Sequence, residues 1–434
     1  MKWRAMVCGL LLIVSATSCA RHEGHESKGA SSSSDSATAS VTSSAARAVR
    51  VSAEKTEAAE PAAASGLDGT VYVAWVEHRG GKEADVWLSH FDGEGRPLGS
   101  PARVNPNAGE ATAWRGDPPT VAVAQDGTVY VGWTARDEGA AHASALYLSA
   151  SRDGGRSFAP PSKVNDDAKP GVHGMHSLAV SGDGRVYVAW LDERNVAPKP
   201  AANAPSHMHT ESNRELFFAS SVDKGRTFSP NLRVAGEVCP CCKTSLAVAG
   251  DGRVYVGWRQ VLPGDYRHIA VASTADGGRT FSSPVVVSDD GWQIAGCPVS
   301  GAAFAVGAGG ELRVLWYTEG EAGRPGLYWS ESRDGGRSFS PRRAFVEGDG
   351  RGTPVLTNGA SRDLIAVWDG GDSPARPMAA RLSEDGRVGD RAALADTGQL
   401  PAAASAGGRL FVAYISETDG GRSVWLARSE ASDR

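Results

Sequence analysis

The sequence has no excess of basic residues. Its 45 Lys and Arg face 50 Asp and Glu, for a formal net charge of −5. No positive stripe stands out, so nucleic acid is not an expected partner. Nor is there a long hydrophobic run near the N-terminus. The apolar stretch from Ala5 to Val14 is too short for a membrane-spanning helix. Cysteine is scarce, with six in 434 residues.

What the sequence does have is one phrase repeated four times. It reads Ser151-Arg-Asp153-Gly-Gly155-Arg-Ser157-Phe158, and it returns around Asp223, Asp276 and Asp334. An Asp that hydrogen-bonds its own backbone, followed by a Gly able to take positive φ, makes a tight turn. Four such turns imply four copies of one unit. A strand-like phrase recurs as well: Val71 to Trp75, Val129 to Trp133, Val186 to Trp190 and Val254 to Trp258. Weaker copies run from Leu312 to Trp316, Leu364 to Trp368 and Leu410 to Tyr414, making seven at intervals of 46 to 68 residues.

One full unit divides into strand A at Thr120 to Ala124, B at Thr128 to Trp133, C at Ala145 to Ser151 and D at Lys163 to Asn165. Four short strands per period predict an all-β fold, a single β-propeller. The count is seven four-stranded blades, or six if one weaker copy is not a blade. The last unit ends in strand C, Ser423 to Ser429, and has no strand D. Ala48 to Ser52 reads like the other D strands and is expected to close the ring, leaving no open edge. The recurrent Trp residues read as packing between blades.

The turn resembles the Asp box of BNR repeats, found in sialidases and many other propellers, and the resemblance spans about residues 48 to 434. It implies that Asp153, Asp223, Asp276 and Asp334 are structural and lie away from any active site. The phrases Cys239-Pro-Cys241-Cys242 and Gly296-Cys297-Pro298 also resemble a group of exported, sialidase-like BNR proteins.

Residues 1–18 read as a signal peptide: Lys2 and Arg4, then the apolar run, then Ser15-Ala-Thr-Ser-Cys19. A lipobox-like site predicts a cut before Cys19, although Ala16 stands where Leu is usual. Residues 19–46, rich in Ser and Ala, read as a flexible tether behind a lipid on Cys19, with the propeller at 47–434. The expected location is a bacterial membrane facing the periplasm or cell surface, with the chain a monomer. Without Cys8 and Cys19, four cysteines remain, an even set for an oxidising compartment.

Propeller topology puts the B–C and D–A connections around one channel mouth, where ligand sites concentrate. Three adjacent units place unusual residues there. His173 and His176 precede unit three, and its long B–C loop holds His207 and His209. Cys239, Cys241 and Cys242 precede unit four, and Cys297 precedes unit five. Thiolate, thioether and imidazole together suit copper, while Cys with His also suits zinc. Disulfides are the plainer reading: Cys239 or Cys241 with Cys297 would staple neighbouring blades. A redox-active pair is a third.

The sialidase resemblance implies an Arg cluster for a sugar carboxylate and a Tyr nucleophile beside a Glu. The family's Arg-Ile-Pro phrase is missing; the first innermost strand reads Glu60-Pro-Ala-Ala-Ala-Ser65. Substitutes on the mouth face are Arg115, Arg259 and Arg351, with Tyr317 and Glu319 as nucleophile and base. Solvated loop charges, and a Tyr packed beside its Trp, account for the same residues. The expected ligand is therefore a small molecule, a glycan or a protein. A purely interacting scaffold is a further reading.

Overall fold

A computed structural model describes residues 48–430, apart from 81–82, 113–115, 138–142, 197–211, 295, 321–323, 360–361, 372 and 419. Among them every regular element is a β-strand. The strands form five four-stranded antiparallel sheets and one of eight strands. The eight-stranded sheet is two four-stranded halves, joined where Val238 at the end of one lies opposite Gln260 of the next.

The second unit shows how sequence becomes sheet. Its strands are Thr120–Val123, Val129–Arg136, Ser144–Ser151 and Ser162–Lys163. β-Branched and aromatic residues fill the second strand, and Asp126-Gly127 makes the hairpin before it, with Gly127 at φ +80°. The fourth strand stops earlier than expected. Asn165 leaves the backbone ladder, and its side-chain carbonyl accepts the Leu146 N–H at 2.9 Å instead. Asn105 does the same for Val86 at 2.7 Å.

Each Asp turn is closed by its own carboxylate. Asp153 accepts the N–H groups of Arg156 and Ser157 at 3.1 and 3.0 Å, and the hydroxyls of Ser151 and Ser157 at 2.7 and 2.6 Å. Asp223, Asp276 and Asp334 repeat this pattern. The second glycine of the turn then seats the loop on the unit before it. A Cβ on Gly155, whose φ is +85°, would lie 2.6 Å from Leu88 and 3.5 Å from the Tyr72 ring.

The core lies between sheets. Val186, Val188 and Trp190 of unit three pack on Tyr130, Leu146 and Leu148 of unit two. Similar clusters join each successive pair of units, and Phe411 and Ala413 of the last pack on Val71, Val73 and Trp75 of the first. All six recurrent Trp residues are buried in these layers. The last sheet takes its fourth strand from the N-terminal side: Val49 pairs with Leu426 and Arg50 with Trp425.

Several innermost strands carry a bulge near their start. Glu60, Met175, Gly352 and Leu400 sit at these breaks with φ of 54°, 52°, 70° and 52°. Left-handed backbone at non-glycine residues costs on the order of 1–3 kcal/mol. The bulge at Met175 also corrects one expectation. His173 and His176 lie within the strand His173–Val180, because the extra residue lets the ladder continue to His173 opposite Asp192.

Candidate functional site

The strand Leu232–Val238 delivers the chain into Cys239-Pro240-Cys241-Cys242, and Ser245–Val248 receives it. The segment is fixed at both ends. The Cys239 N–H donates to Arg259 O at 2.9 Å, and the Thr244 N–H donates to Met175 O at 3.0 Å. The Thr244 hydroxyl also donates to Met175 O at 2.9 Å. Cys297 comes from the connection into the next unit. That connection is held where the Ser300 hydroxyl donates to Gly352 O at 2.6 Å and the Gly301 N–H donates to Thr353 at 3.0 Å.

Arg259 ties the two loops together. Its Nε donates to Ser300 O at 2.9 Å, Nη1 to Arg267 O at 3.3 Å and Nη2 to Tyr317 O at 2.9 Å. The guanidinium lies over the Trp292 ring at 4.9 Å, and the residue is fully buried. All three nitrogens are engaged with backbone carbonyls. Arg259 is therefore a brace, not the mouth-facing carboxylate clamp expected from its position after Trp258.

The four cysteines meet at this brace. Cys241 and Cys297 form a disulfide with their Cα atoms 6.1 Å apart, which selects one of the two staples the spacing allowed. Cys239 and Cys242 are free thiols, both wholly buried. Cys239 Sγ lies 3.3 Å from Cys242 Sγ and 3.8 Å from Cys241 Sγ. Cys241 is half-buried and Cys297 exposed. Hydrogen bonding from Cys242, followed by the charges of Arg259 and Arg267, holds the Cys239 thiol below its ordinary range despite burial. Burial and the neighbouring Cys239 push Cys242 up. Of the two, Cys239 is the more readily ionised.

The sulfurs of Cys239, Cys241 and Cys297 lie within 4.8 Å of one another, the one such group of potential metal ligands among the described residues. No described histidine joins it. His173 Nε2 instead lies 3.2 Å from Asp167 and 3.3 Å from Asp192, and its Nδ1 contacts Ser144 O. His176 Nδ1 lies 3.5 Å from Asp117. Both rings are buried. Burial opposes a charge on His173, but Asp167 and Asp192 outweigh it and push its pKa up to about 9. The signal that could have shown this was the nearby acids, Asp166-Asp167 and Asp192. His207 and His209 lie outside the described residues, as do Arg115 and Cys19.

Two of the remaining hydrolase candidates, Tyr317 and Glu319, are in contact. The Tyr317 hydroxyl donates to Glu319 Oε1 at 2.8 Å, and the ring meets Trp292 edge-on at 5.8 Å. Burial, then the Glu319 carboxylate, raises the phenol's pKa, while Arg351 pulls it the other way.

Sequence reasoning missed one cluster. A cavity of about 300 Å³ is lined by the innermost strands and by Glu60, Pro118, Lys243 and Leu400. Lys243 Nζ donates to Pro118 O at 3.2 Å. Burial lowers its pKa to about 8, with Asp117 and Glu60 opposing that shift. Glu60 accepts the Gly116 N–H at 3.0 Å, and burial raises its carboxyl. Lys243 directly follows the cysteine phrase, which was the available clue.

No family model matches the chain, and no curated protein matches it in sequence. Solved structures do resemble it in fold. The BP39L lectin from Burkholderia pseudomallei has 14% identity and a TM-score of 0.60 over 87% of this chain and 99% of that one. A Penicillium chrysogenum α-L-arabinanase has 14% identity and a TM-score of 0.51 over 73% and 93%. The Hadza microbial sialidase Hz136 has 14% identity and a TM-score of 0.50 over 82% and 76%. Polysaccharide lyases share the architecture too. The chain thus has a sialidase-like propeller fold. At these identities the likeness concerns fold alone, and the fold hosts binding proteins and glycan-cleaving enzymes alike.

Proposed function

We propose that this chain is an exported lipoprotein whose propeller presents a thiolate site for a soft metal, copper or zinc, near its channel mouth. Residues 1–18 direct export, Cys19 carries lipid, residues 19–46 form the tether, and the propeller at 47–434 has seven four-stranded blades, four of them with Asp boxes, closed by its N-terminal strand. The observation that carries the metal reading is the convergence of Cys239, Cys241 and Cys297 within 4.8 Å, with Cys242 3.3 Å from Cys239. Metal–thiolate bonds near 2.3 Å in a tetrahedron put sulfurs about 3.8 Å apart. The 3.8 Å between Cys239 and Cys241 fits that edge. Cys241 and Cys297 must first be reduced, since their sulfurs are joined.

The test is metal content of a chain starting at Arg47, after gentle reduction and anaerobic exposure to copper(I) or zinc. About one ion per chain is expected, falling below a tenth in Cys239→Ser/Cys241→Ser. An equal content in both proteins rejects the site.

A second reading is an exo-sialidase-type glycoside hydrolase, favoured by the Tyr317–Glu319 hydrogen bond. The engagement of Arg259 with three carbonyls weighs against it. A sialoside substrate cleaved by the native chain and spared by Tyr317→Phe would support this reading; the absence of cleavage by both removes it.

A further inference from the structure

The cysteine cluster holds two sulfur pairs of opposite character. Cys239 and Cys242 are reduced and wholly buried; Cys241 and Cys297 are oxidised and reach the surface at Cys297. Cys239 stands between the pairs, 3.3 Å from Cys242 and 3.8 Å from Cys241. A disulfide sulfur this close to a free cysteine sulfur is the starting geometry for exchange.

We propose that the four cysteines form a thiol–disulfide exchange site that passes two electrons from the buried pair to a disulfide substrate at the surface. In the first step Cys239, giving up its proton, attacks Cys241 Sγ. The Cys239–Cys241 bond forms, the Cys241–Cys297 bond breaks, and Cys297 leaves as a thiolate. Cys242, losing its proton, then attacks Cys239 Sγ. The Cys239–Cys242 bond forms, and Cys241 is released as a thiolate. No atom is gained or lost, and the protons given up inside are matched by two thiols outside.

The surface dithiol then reduces a disulfide R–S–S–R′. Cys297 attacks one sulfur and expels R′S⁻. Cys241 attacks Cys297 Sγ and expels RS⁻, which restores the Cys241–Cys297 disulfide. The substrate is reduced, and the buried pair is left oxidised. A dithiol donor acting at Cys297 resets the chain by the same steps in reverse. The burial of Cys239 and Cys242 serves this role, because it shields the stored electrons from solution oxidants while Cys297 selects what receives them.

The inference rests on the same cluster as the metal site but not on metal binding, and the two are read separately. The protein is brought to two free thiols per chain with limiting dithiol, and its metal content is recorded. It is then mixed, folded, with oxidised glutathione or with a cyclic peptide disulfide, quenched in acid, alkylated and mapped by mass spectrometry. Loss of both thiols is expected, with Cys239–Cys242 formed and glutathione caught transiently on Cys297. In Cys242→Ser the reaction is expected to stall after one step, with Cys239 bonded to Cys241 and glutathione retained on Cys297. Cys239→Ser should lose the reaction.

Reaction with glutathione but not the peptide identifies a small disulfide as substrate; a faster reaction with the peptide identifies a protein. No reaction of the wild type with either overturns the proposal. So does glutathione found on Cys239 or Cys242, which needs no variant to detect, or a Cys239→Ser protein of unchanged fold reacting at the wild-type rate.

Discussion

At the scale of single residues, the described histidines and Arg259 show how burial assigns a role. His173 is charged because Asp167 and Asp192 lie 3.2 and 3.3 Å away in a buried site. Its pKa of about 9 sits above the ordinary value of 6.5. A raised folded value stabilises the fold fully below about pH 6.5, and that contribution disappears as pH rises through 9. The melting temperature should therefore fall between pH 6.5 and 9, a loss on the order of 3 kcal/mol. His173→Gln should flatten that alkaline slope and cost about 3–5 kcal/mol near pH 6, the usual penalty for leaving buried charges unpaired. Thermal melts of both proteins across this range check it; an unchanged slope in the variant would reject the assignment.

At the scale of elements, the Asp turn works as a joint between units. Its carboxylate organises the loop, and hydrogen bonds from Ser157 help hold Asp153 at a pKa of about 2. A depressed carboxylate stabilises above its ordinary pKa, and the effect is lost as pH falls through the folded value. Asp153→Ala should lower the melting temperature at pH 7 and lessen the loss of stability between pH 4 and 2. The glycine two residues later meets the preceding unit. With φ +85° and a Cβ that would fall 2.6 Å from Leu88, Gly155→Ala should cost about 1–3 kcal/mol in chemical denaturation. The Trp strand is the other joint: Trp190, fully buried against unit two, should cost about 3–5 kcal/mol when changed to Ala.

At the scale of the whole molecule, the two ends of the propeller meet. Val49 and Arg50 supply the strand beside Leu426 and Trp425, and the Val51 N–H donates to Val424 O at 2.8 Å. Removing residues up to Ser52 uncovers a row of unpaired backbone groups, which invites pairing with another chain. A protein starting at Ala53 should melt lower and associate in size-exclusion chromatography, whereas one starting at Arg47 should not. Equal behaviour of the two would mean that this strand contributes nothing to closure.

The sequence by itself determined the repeating unit, and the reason is local. An Asp that bonds backbone two to four residues away, a Gly at positive φ and a β-branched run ending in Trp act within a few residues of themselves. The turns around Asp153, Asp223, Asp276 and Asp334, and the strand phrases ending in Trp or, in the last unit, Tyr414, were legible on that account. So was the missing last strand, because each unit could be compared with its neighbours. The tertiary structure alone decided the partners of side chains that reach between units. Nothing in Cys239-Pro-Cys241-Cys242 says which sulfur faces Cys297, since that depends on how two connections are braced by Arg259. Nor does His173-Gly-Met175-His176 reveal its bulge, or that His173 lies beside the carboxylates of Asp167 and Asp192. Contacts between residues dozens of positions apart are set by packing, and packing is a property of the assembled core.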